Sequence, residues 1–198
     1  MTRSLIVAEG TAETAILEIL LENDCLTVTP DDLISDERVV PRLLKGQLLA
    51  EKYLQRDFGT GIDLLVILDS LKREISVPYL YKRQIRQTKY FVTRPEIEAI
   101  QLYAEPDWLK KYQNYRRRHH GEEPKKLKPS TFFKASPTIG GLGIKEVKTD
   151  SFVRQLWVNR PEHLVKAILH VENDMRTLSL GQREPLAGLL RPHLRYSQ

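Results

Sequence analysis

One cysteine, Cys25, stands in 198 residues, so no disulfide can close within the chain and no cysteine-built zinc cluster can form. Cys25 ends an amphipathic helical run, TAETAILEILLENDC, where a packed core thiol is expected. No apolar run approaches the ~20 residues that a membrane-spanning helix needs. The amino end carries no basic, apolar and cleavage-site pattern of a secretory signal. These absences point to a soluble, cytoplasmic protein with no membrane partner. Other chemistries are missing too. The glycines at 140, 141 and 143 lack the Gly-Lys-Ser/Thr ending of a P-loop and follow no convincing strand. His119 and His120 have no companions at zinc spacing. No serine nucleophile elbow or Cys/His pairing occurs, so hydrolysis through an acyl-enzyme has no support.

What is present is a modest positive charge, unevenly placed. Lys and Arg number 31 against 26 Asp and Glu, a net charge of +5. Residues 108–134 alone hold nine Lys and Arg against two Glu, with His119, His120 and aromatics interleaved. Concentrated charge of this kind suits contact with a polyanion. Arg116, Arg117, Arg118, Lys125, Lys126 and Lys128 are the candidate nucleic-acid contacts.

The length suits one domain able to bury a core without staples. Residues 5–8 read as a buried strand, closed by Gly10 and followed by a helix over 12–23 with Thr11 at its cap. A strand is expected at 26–29 and a helix over 41–55, with Leu43, Leu44, Leu48 and Tyr53 on its apolar side. The run IDLLVIL at 62–68 is the clearest strand and ends on Asp69. A helix over 77–87, a short strand at 90–92 and a helix over 95–103 opening on Pro95 complete the alternation. Residues 140–143 read as a loop and 151–175 as helical, broken at Arg160 and Pro161. Alternating strands and helices argue for βαβ units and a largely parallel sheet flanked by helices. The expected organisation is an α/β core over 1–106, a basic helix and loop over 107–144, and a helical carboxyl-terminal extension over 145–198. In that extension Leu156, Trp157, Leu164, Ile168 and Val171 recur at helical spacing, as a core stripe or a homodimer surface.

Function gathers at the carboxyl ends of parallel strands, where Glu9 and Asp69 both fall. A buried strand gains nothing from an acid at its tip, whereas a hard divalent cation wants oxygen ligands of this sort. Glu13, in the first turn of the next helix, faces the same crevice or serves the helix dipole. Glu96 and Glu98 add carboxylates at another helix start, with capping as the competing use.

The order strand, Glu-Gly-x-x-Glu, helix, strand, helix, strand ending on Asp, helix, strand resembles the Toprim domain. Topoisomerases, bacterial primases and the overcoming-lysogenization-defect nucleases share that fold. The resemblance covers residues 4–104, with an extension on to 134, and it implies that Glu9, Glu13 and Asp69 bind Mg2+ or Mn2+ for phosphodiester cleavage or transfer. The Pro-Glu-Ile-Glu segment holding Glu96 and Glu98 looks like one found in small stand-alone Toprim-like proteins, several linked to phage defence. Lys134 would take the part of the basic residue near the scissile phosphate. One departure stands out: Leu71 occupies the place of the family's second aspartate. Either Glu96 or Glu98 replaces that oxygen, or the ion is weakly held, or the domain no longer cleaves. The implied function is a metal-dependent nuclease acting on DNA or RNA. The alternative is a catalytically degenerate module that binds nucleic acid or a partner protein in a defence complex.

Overall fold

The computed structural model describes residues 3–42, 45–94, 96–136, 141–175 and 180–195. Leu43, Leu44, Pro95 and Gly140, used in the expectations above, lie outside them. The chain is an α/β protein with one five-stranded, all-parallel sheet flanked by helices, as the alternation predicts. Strands β1 (Arg3–Ala8), β2 (Val39–Pro41), β3 (Ile62–Leu68), β4 (Ile85–Val92) and β5 (Glu184–Pro185) lie in the order β2-β1-β3-β4-β5. β3 is buried along its whole length and β1 from Ser4 onward, which is why both read as near-continuous apolar runs.

Helices are α1 (Thr11–Glu22), α2 (Gly46–Tyr53), α3 (Glu98–Gln101), α4 (Pro106–Arg118), α5 (Pro129–Lys134), α6 (Asp150–Trp157), α7 (Pro161–Met175) and α8 (Pro192–Arg195). Proline opens α4, α5 and α7, where its missing N–H costs nothing. Thr149 Oγ1 accepts the Phe152 N–H and caps α6.

The sheet separates two apolar layers. Ile6, Ala8, Leu65 and Ile67 face α1, α6 and α7, whose Ile16, Leu20, Trp157, Leu164 and Ile168 are buried against them. Cys25 belongs to this layer, and burial raises its thiol above the ordinary value. Leu5, Val7, Leu64 and Val66 face α2 and the segment carrying Ile75 and Val77. A smaller third cluster joins Leu102, Tyr115, Phe132, Phe133 and Val147 under the basic segment. The stripe at Trp157, Leu164, Ile168 and Val171 is thus core, and the carboxyl-terminal segment also supplies β5 at the sheet edge.

Four expected elements differ. Residues 26–29 form no strand: Leu26 makes one isolated antiparallel bridge to Leu190, and Thr29 is drawn into a capping box with Asp32. The second strand is β2, whose Val39 and Val40 pair beside β1. Residues 77–87 are not an α-helix. A 3₁₀ turn over Tyr79–Gln84 leads into β4, which extends back to Ile85 because pairing with β3 overrides the local helical pattern. The helix at 95–103 contracts to the single turn of α3. The helix at 41–55 begins only at Gly46, where α2 crosses the next segment so closely that a Cβ would lie 1.9 Å from the Ser76 carbonyl oxygen.

Candidate functional site

The connection from β1 runs to β2 on one side, and that from β3 runs to β4 on the other. The strand order therefore reverses between β1 and β3, and such a switch point opens a crevice at the carboxyl ends. Glu9 and Asp69 flank it. The strand ends are zipped together by Glu9 N–H to Ile67 O at 3.0 Å, Arg42 N–H to Ala8 O at 2.8 Å and Thr93 N–H to Leu68 O at 3.0 Å.

Glu9 Oε2 accepts the backbone N–H of Asp69 at 3.0 Å, and its Oε1 accepts from Arg73 at 2.5 Å. Burial works to raise the Glu9 carboxyl, but the Asp69 N–H, the neighbouring Asp69 carboxyl and Arg73 outweigh it and hold Glu9 below its ordinary value. Asp69 moves the other way. Burial, then the hydrogen bond and the charge of Glu9, raise it, while Lys148 and Lys128 pull it down. The two carboxyls act on each other, Glu9 held down and Asp69 pushed up.

Glu13 is buried in the first turn of α1, and burial raises its carboxyl above the ordinary value. Its own N–H and Lys148 oppose that shift, whereas Asp69 and Glu9 add to it, so Glu13 shares the field of the pair. The carboxylate folds back over Gly10, where a Cβ would stand 2.4 Å from Oε2. Glycine at that position leaves room for the acid.

Glu98 is fully buried at the start of α3. Lys148 Nζ lies 2.6 Å from its Oε1, out of line for a hydrogen bond, and neither carboxylate oxygen accepts one. Lys148 also acts on Asp69 and Glu13, so a single ammonium links Glu98 to the strand-tip acids. Glu96 is engaged elsewhere. Its Oε2 accepts the Ser130 N–H at 3.1 Å and its Oε1 pairs with Lys128 at 2.9 Å, which caps α5. Burial opposes ionisation of Glu96, but Ser130 and Lys128 outweigh it and hold the carboxyl low.

Lys134, at the far end of α5, is exposed, and the cations that pull hardest on Glu13 and Asp69 are Lys148 and Lys128. Neither Lys148 nor Arg73 was marked by local pattern, because each reaches the crevice from a segment distant in sequence. The loop bearing Asp69 and Arg73 is pinned by Arg183, which donates to Ser70 O at 2.7 Å and to Arg73 O at 2.8 Å. Arg42 sits at the tip of β2 at φ 59° and donates to Thr11 Oγ1 at 2.8 Å beside the crevice.

Glu9 and Asp69 offer oxygen donors of the kind that Mg2+ or Mn2+ takes alongside waters and phosphate oxygens. Among the described residues no group of three or more His, Cys, Asp and Glu is already arranged around one point. Glu13 is turned onto its helix end, Glu98 onto Lys148 and Glu96 onto α5.

An open groove of about 660 Å³ along α4 is lined by Lys110, Gln113, Asn114, Arg116, Arg117, His120 and Leu127. Arg116 lies over the Tyr112 ring, and Arg118 is exposed. Lys125 and Lys126 are paired with Glu123 and Glu122. Comparison with protein-family models, curated proteins and solved structures finds no match to this chain.

Proposed function

We propose that this chain is a Toprim-like, Mg2+- or Mn2+-dependent phosphodiesterase that cleaves nucleic acid in the cytoplasm, in the setting of phage defence. The observation that carries the reading is the Glu9–Asp69 carboxyl pair at the switch point between β1 and β3. Glu9 and Asp69 would hold the ion, which when bound supplies an activated water and offsets charge on the phosphodiester. Arg73 fixes the orientation of Glu9. Lys148 stands beside the acids as a cation for a phosphate oxygen, the part expected of Lys134. Glu13, whose carboxyl burial raises, is the group suited to take up a proton. Glu98, buried and paired with Lys148, would orient that ammonium and leaves the carboxylate absent at Leu71 unreplaced. The α4 groove would track the phosphate backbone without reading sequence, so binding weakens steeply as salt rises.

Leu71 and the two built-in cations favour a second reading. Arg73 already neutralises Glu9 and Lys148 already neutralises Glu98, as in a domain kept for binding a nucleic acid or a partner protein. A cleavage assay separates the two readings. Labelled single- and double-stranded DNA and RNA are incubated with Mg2+, Mn2+ or EDTA, beside Glu9→Gln and Asp69→Asn. The enzyme reading predicts metal-dependent cleavage reduced by about 10² or more in both variants. Absence of cleavage, with salt-sensitive binding retained in both variants, supports the binding module instead.

A further inference from the structure

β4 lies between β3 and β5, yet β5 pairs with it only at Phe91 and Val92. Over residues 85–90 the outward edge of β4 has no strand partner among the described residues, while its inner edge pairs with β3 at Ile85 and from Gln87 to Tyr90, the register shifting at Arg86. Thr88 and Lys89, in the middle of an otherwise internal strand, are exposed accordingly. An open edge is a ready template for another extended chain, and proteins usually cover or shorten it.

The segment leading into this edge is exposed as well. Tyr79 and Leu80 are 88% and 69% exposed, the two most exposed large apolar side chains among the described residues. Residues 79–90, YLYKRQIRQTKY, carry Lys82, Arg83, Arg86 and Lys89 and no acid. Arg86 is bound bidentately by Asp63, whereas Lys82, Arg83 and Lys89 form no ion pair among the described residues. A second copy of this chain fits poorly. Antiparallel pairing of the whole stretch 85–90 with its two-fold mate would set Arg86 opposite Lys89, a like-charge pair.

We propose that the β4 edge is a docking site for an extended, acidic segment of another protein. That segment would add as a strand beside residues 85–90. Main-chain hydrogen bonds would supply affinity. Lys82, Arg83 and Lys89 would select carboxylates, and Tyr79 with Leu80 would seat an apolar residue at one end. This site lies on the edge of the sheet, outside the crevice of Glu9 and Asp69, and does not depend on cleavage.

The probe is a twelve-residue peptide alternating Glu with Val, compared with the same peptide in which Lys replaces Glu. Hydrogen–deuterium exchange on the full chain is read at the amides of 85–90. The expected result is protection of these amides by the Glu peptide alone, with affinity falling about tenfold in Lys82→Glu/Lys89→Glu. Both substitutions are at exposed positions, so circular dichroism should show an unchanged fold. Glu9→Gln should bind the peptide normally. Equal protection by the Lys peptide, no protection by either, or protection that depends only on protein concentration would overturn the proposal, the last by indicating a second copy. Protection by a single-stranded oligonucleotide in place of the peptide would overturn it as well.

Discussion

Glu13 carries a pH signature that can be worked out from its surroundings. Burial raises its carboxyl, so the folded state holds the proton more tightly than the unfolded chain. Stability from this group is therefore present below the unfolded carboxylate value and declines as pH rises through the raised one. Glu13→Gln should raise the melting temperature at neutral pH and lose that advantage in acid; a lower melting temperature at neutral pH would contradict the assignment. Glu96 has the opposite sign, because Ser130 and Lys128 hold it low and its contribution disappears as pH falls. Lys148 balances the buried Glu98 although its own side chain is 57% exposed. Breaking a buried ion pair costs several kcal/mol, and water reaching Lys148 reduces this to about 2 kcal/mol for Lys148→Met. Denaturant titration should show that loss, and adding Glu98→Gln should recover most of it. Glu9 and Asp69 were legible in the sequence because each interrupts or ends an apolar run. Lys148 was not, since a surface lysine in GIKEVKTD differs in no local way from its neighbours.

At the scale of elements, the readable parts were those whose pattern is made by burial on both sides. β1, α1, β3, α6 and α7 stand where periodicity puts them, although α1 starts at Thr11 with Gly10, not Thr11, at its cap. The segment at 77–87 misled because Pro78 suits the first turn of a helix, while Tyr79 and Leu80 after it are left exposed by the fold. What decides that region is the hydrogen-bonded ladder from β3, a long-range fact. β2 was missed because three residues give too little pattern, while Leu26 to Thr29 has strand-like composition but spends its backbone on Leu189 and Leu190. The crossing of α2 was equally silent. Gly46 permits it, and Gly46→Ala should cost about 1–3 kcal/mol, because the new Cβ meets backbone that cannot swing aside. Thermal unfolding at neutral pH measures this directly; an unchanged midpoint would mean that α2 sits further from Ser76.

The whole molecule combines a crevice of acids at one end of the sheet with a basic groove along α4. Lys128 connects them, since it pairs with Glu96 and acts on Asp69. This layout suits an anionic polymer held along the basic face while one phosphate meets the acid pair. That claim stands or falls first on the ion. Calorimetric titration of Mn2+ into the intact chain, beside Glu9→Gln and Asp69→Asn, is the most direct measurement. Saturable binding of one ion, with a melting temperature that rises with occupancy and both effects lost in each variant, is the predicted result. No saturable binding by the intact chain, or equal binding by all three proteins, would contradict a metal site between β1 and β3.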